Sequence, residues 1–74
     1  MDALEKLGWE RTESESSVCY KHTRYLPLTE QNFVRIIFID KDKNSVSIGN
    51  AHSLTKQELL ALAEVVKEME NELL

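Results

Sequence analysis

The sequence predicts an α+β domain, with an antiparallel meander of three or four strands packed on one long C-terminal amphipathic helix and a short helix at the N-terminus. Three observations predict it. Val18–Leu26 and Phe33–Asp40 are extended runs with side chains alternating at period two. Residues 56–73 change to a helical period behind a capping sequence. No helical pattern separates the strands, so short turns join them as antiparallel neighbours.

At the N-terminus, Asp2 followed by Glu5 is a capping box, and Leu4 and Leu7 share one face of a helical turn that Gly8 ends. A helix this short must dock on something to persist. Trp9–Glu13 reads as extended and Ser14–Ser17 as a polar turn. In the next strand Val18, Tyr20, His22, Arg24 and Leu26 face one way, while Cys19, Lys21, Thr23 and Tyr25 face the other. Pro27 stops it, and Leu28–Asn32 connects. Phe33–Asp40 is the most apolar segment, with Phe33, Arg35, Ile37 and Ile39 on one face and Val34, Ile36 and Phe38 on the other. A strand apolar on both faces belongs in the middle of a sheet, covered on both sides.

Lys41–Asn44 is a turn and Ser45–Gly49 a short return strand. A four-residue loop pairs Ile39 with Val46 and Ile37 with Ile48, on the face of Phe33. A loop of three or five residues turns Val46 and Ile48 to the face of Val34 instead. Thr55 and Glu58 form a second capping box, and Leu54 with Leu59 a hydrophobic staple, so the helix runs from about Lys56 to about Leu73. At 100° per residue, Leu59, Leu62, Val65, Val66, Met69 and Leu73 form one stripe with Ala63 at its edge. Glu64, Glu68, Asn71 and Glu72 lie opposite. Leu60 sits near that polar side with no evident reason to be apolar.

The chain of 74 residues, 42% apolar and 30% charged, has room for one domain, 1–74, in the ordinary globular range. Such a domain buries only about 60% of the surface its unfolded chain exposes. One helix covers one sheet face, and the N-terminal turn covers the second only in part. The apolar remainder, about 300–600 Å², is of the size that marks a contact site. Self-association is the simplest cover for so small a core.

A lone cysteine, Cys19, excludes an internal disulfide, and the opening Met-Asp-Ala-Leu-Glu-Lys has no signal-peptide character, so a cytoplasmic setting is expected. No apolar run approaches the roughly 20 residues of a membrane span. The net charge of −4 argues against non-specific adhesion to nucleic acid or membrane, although it is unevenly placed: −3 over residues 1–17, +2 over 18–55 and −3 over 56–74.

Chemistry-bearing constellations are few. Cys19 and His22 have half a zinc-site spacing, yet three residues apart on a strand they face opposite ways, and the other histidine, His52, lies in a loop. A mid-strand thiol without a neighbouring oxyanion hole is inert. Gly8 and Gly49 are isolated, so no phosphate-cradling loop exists, and Asp40 and Asp42 flank a turn with lysines. An enzyme, a metal and a cofactor are therefore not expected. Tyr20, Lys21, Arg24, Tyr25 and Arg35 mix aromatic and basic side chains on neighbouring strands, a composition suited to single-stranded nucleic acid, but alternation divides them between two faces. Arg35, alone among apolar neighbours, needs a partner such as Glu70 or an acidic ligand.

Leu-Gly-Trp after a short acidic helix, Tyr-Lys-His in a strand, Ile-Ile-Phe-Ile-Asp-Lys-Asp-Lys-Asn through a strand and turn, and Leu-Thr-Lys-Gln-Glu-Leu opening the last helix together carry a resemblance. Over nearly the whole chain the order resembles small uncharacterised proteins encoded by phages and prophages of Gram-positive bacteria. That resemblance implies an accessory role in the host cytoplasm and no catalytic residues.

The expected function is a non-enzymatic protein-interaction module, homodimeric or bound to another protein, with single-stranded nucleic-acid binding through the sheet as the alternative. Val34, Ile36 and Phe38 are the candidate contact residues, with Tyr20, Tyr25, Arg35 and Leu60 as secondary candidates.

Overall fold

The computed structural model describes residues 1–49 and 54–72, so His52 and Leu73 lie outside the described residues. After an N-terminal 3-10 turn, Glu5–Leu7, come β1 (Glu10–Glu13), β2 (Ser17–Leu26), β3 (Gln31–Asp40), β4 (Ser45–Gly49) and the helix α1 (Lys56–Glu72). The strands form one antiparallel sheet in the order β1-β2-β3-β4, which is the expected meander, here with four strands.

Local chemistry sets the element ends. The Asp2 carboxylate accepts the Glu5 N–H at 2.9 Å and the Glu5 carboxylate accepts the Asp2 N–H at 3.1 Å. Gly8, at φ 95°, ends that turn in the left-handed region that costs an L residue most, and its N–H bonds the Glu5 carbonyl at 3.0 Å. Ahead of α1 the Glu58 N–H donates to the Thr55 hydroxyl at 3.1 Å, and the Thr55 N–H donates to the Glu58 carboxylate at 3.0 Å. Both capping boxes close as read from the sequence.

The β3–β4 loop has four residues, with Asp40 opposite Ser45 and Asn44 in the left-handed region at φ 54°. Ile39 therefore lies opposite Val46, and Ile37 opposite Ile48, on the face that also carries Val18 and Tyr20. That face takes the helix. The core is Leu4, Trp9, Val18, Tyr20, Ile37, Ile39, Ala61, Leu62 and Val65, with Leu54, Val66 and Met69 partly buried against it.

Two expectations need correction. The N-terminal turn adds Leu4 and Trp9 to the helix side of the sheet, so it gives the second face no cover. The buried stripe of α1 is also rotated from the one read: Ala61 is buried, whereas Leu59 is 58% exposed and Ala63 is exposed. The cause is the anchoring of Glu58, which points into the sheet and carries the residues three and seven positions later, Ala61 and Val65, in with it.

Candidate functional site

Inside the helix face, a buried polar cluster accounts for the residues whose chemistry looked unusual in the sequence. Arg35, buried on β3, donates to both oxygens of Glu58, Nη1 to Oε1 at 2.8 Å and Nη2 to Oε2 at 2.7 Å. Trp9 Nε1 donates to the same Oε2 at 3.0 Å, and the Arg35 guanidinium lies 5.0 Å from the Trp9 ring centroid. With the Thr55 N–H, the carboxylate accepts four hydrogen bonds. Burial pushes the Glu58 pKa up, but these donors outweigh it and hold the group at about 2. Arg35 Nη2 also lies 3.1 Å from His22 Nδ1, and the His22 ring sits 5.2 Å from that of Trp9. The helix partner of Arg35 is thus Glu58, one turn into α1, rather than Glu70.

Tyr20 is fully buried. Its hydroxyl donates to Asp2 Oδ2 at 2.6 Å, where Arg11 Nη1 also donates at 2.9 Å. Burial and the Asp2 carboxylate push the phenol up; for Asp2, burial raises its pKa, but the Tyr20, Glu5 and Arg11 donors prevail and lower it. Tyr20 and Arg35, two of the secondary candidates for partner contact, are therefore engaged inside the fold.

This dismantles the aromatic-and-basic grouping. Of its five members, Lys21, Arg24 and Tyr25 are exposed, and Arg24 falls on the opposite face from the other two. Cys19 is half-buried on the sheet face away from His22, and the described residues contain no group of three His, Cys, Asp or Glu that could hold a metal ion. No helix among them is long and apolar enough to cross a membrane.

Apart from Met1, Leu7 and Leu28, the large apolar side chains exposed among the described residues lie in two places. On the far sheet face, a cross-strand row runs Thr12, Cys19, Phe38, Ser47, flanked by Ile36 opposite Lys21 and Val34 opposite Thr23. Phe38 is 40% exposed, Val34 and Ile36 are half-buried, and Tyr25 projects from the same face near the β2–β3 turn. The buried core lies wholly on the other side.

The second place is a groove between α1 and the edge strand β4. Anchoring Glu58 to Arg35 and Trp9 draws the helix toward β2 and β3, and leaves β4 exposed along its whole length. Val46 and Ile48, on the helix-facing side, stay 43% and 46% exposed. Val46, Leu59, Leu60 and Val66 line the groove, with Lys67 and Glu70 at one end. Leu60, at 68% exposure, is the candidate found from its misplaced apolarity. Val46, Ile48 and Leu59 escaped sequence reading because each fits an ordinary core pattern, and only the lateral offset of the helix uncovers them.

Comparison with family models, with curated proteins and with solved structures returns no match.

Proposed function

We propose that the chain is a small non-enzymatic protein-interaction module that acts as a homodimer. One observation carries this reading: among the described residues, α1 shields only one face of β3 and stops short of β4, so apolar side chains on both sides of the sheet meet solvent. Leaving such surface hydrated costs about 25 cal/mol per Å², a gain recovered when a partner covers it. Support for a non-enzymatic role comes from the polar interior, where the Glu58 carboxylate and the Arg35 guanidinium bond one another instead of aiming at a cleft. The resemblance to phage- and prophage-encoded proteins adds a cytoplasmic setting and an accessory role toward a host protein.

The test is the mass in solution. Light scattering at about 10–100 µM should give twice the 8.6 kDa chain, falling toward the monomer on dilution as mass action requires. A single 8.6 kDa species throughout that range overturns the reading.

A further inference from the structure

Leu60, 68% exposed, takes no part in the core and lies between the groove beside β4 and a shallow depression lined by Ala3 and Leu7. On a helical wheel centred on Ala63, Leu59, Leu60 and Val66 fall within about 60° of it, and Lys56 and Glu70 within about 20°. Leu59, Leu60 and Ala63, all exposed, point away from the buried positions Ala61 and Val65, while Val66, partly buried against the core, forms the inner border of the stripe. The stripe is apolar at the middle and small at the centre, with Lys56 at one end and both Lys67 and Glu70 at the other.

We propose that a second copy of this chain covers this stripe, with the two α1 helices antiparallel across a two-fold axis at Ala63. In that arrangement positions whose numbers share the midpoint 63 face each other. Leu60 meets Val66 of the partner, Leu59 meets the aliphatic stem of Lys67, and Ala63 meets itself, which lets the helices approach closely. Lys56 faces Glu70 at both ends, each about 10 Å from the axis, within reach of long side chains. A parallel pair would instead set Lys56 on Lys56 and Glu70 on Glu70, so charge selects the antiparallel form. Two-fold symmetry supplies every contact twice, as an isologous interface requires. Leu59 and Leu60, 58% and 68% exposed, together with the exposed Val46 that lines the same groove, expose on the order of 300 Å², over a third of the roughly 800 Å² per partner in a standard interface.

This inference rests on the reading of the chain as a homodimer and names its surface. It is tested by charge exchange, measured by sedimentation equilibrium of the full chain in about 50 mM salt, where the pairs are little screened. Lys56→Glu and Glu70→Lys each place like charges at both ends and should weaken the dimer about tenfold, and the double variant should return to within about threefold of the original. Each single change puts the preferred sign at its own helix end, acid at the N-terminus and base at the C-terminus, so it favours the folded helix and a lost dimer is not a lost fold. An unaltered dimer in both single variants overturns the helix-to-helix interface while self-association stands. A monomeric parent chain overturns both.

Discussion

Glu58 holds the helix to the sheet through Arg35, Trp9 and its own cap, and its depressed pKa makes that attachment sensitive to acid. A carboxyl held at about 2 when folded and near its ordinary 4.5 when unfolded contributes stability that is fully present above 4.5 and is lost as pH falls toward 2. Asp2, lowered by Tyr20, Glu5 and Arg11 against the burial that raises it, adds to the same loss below its ordinary 3.8. Urea denaturation should therefore show stability unchanged from about pH 7 to 5 and falling by about 2–3 kcal/mol from there to pH 3 and below. Glu58→Gln leaves the Arg35 cation buried without its counter-charge and should cost about 3–5 kcal/mol. An acid-insensitive parent, or a neutral substitution, would mean that the cluster does not hold the helix.

At the scale of elements, the two faces of β3 are the informative contrast. Ile37 is fully buried under the helix, and its neighbour Ile36 sits half-buried on the uncovered face. Ile37→Ala should destabilise by about 2–5 kcal/mol, whereas Ile36→Ala should cost under about 1.5 kcal/mol in unfolding measurements on dilute protein. Equal costs would mean that the far face is covered. Element identity and order were legible in the sequence because they rest on local chemistry: both capping boxes, the Gly8 stop, the Pro27 break and the alternation along β2 and β3. The β4 register was narrowed to alternatives but not chosen, since one residue of loop length exchanges the faces. The rotation of α1 was not legible. A helical pattern gives a stripe about 100° wide, and which edge of it turns inward depends on where Glu58 finds Arg35, a contact 23 positions away.

At the scale of the whole molecule, the far-face candidates Val34, Ile36 and Phe38 and the misplaced Leu60 were legible as an apolar excess. Tyr20 and Arg35 were misjudged for one shared reason. Their partners, Asp2 and Glu58, come from the N-terminal turn and the helix, elements that a strand-by-strand reading does not bring together. On the proposed reading, this chain buries one layer of core by itself and covers the exposed side of α1 by association with a second copy. Association of folded chains ties stability to concentration, so the thermal midpoint followed by circular dichroism over a hundredfold range of protein concentration is the most direct test. A rise of about 5–10 °C from the dilute to the concentrated end is the predicted result for a domain of this size. A midpoint that stays constant over the whole range would contradict it.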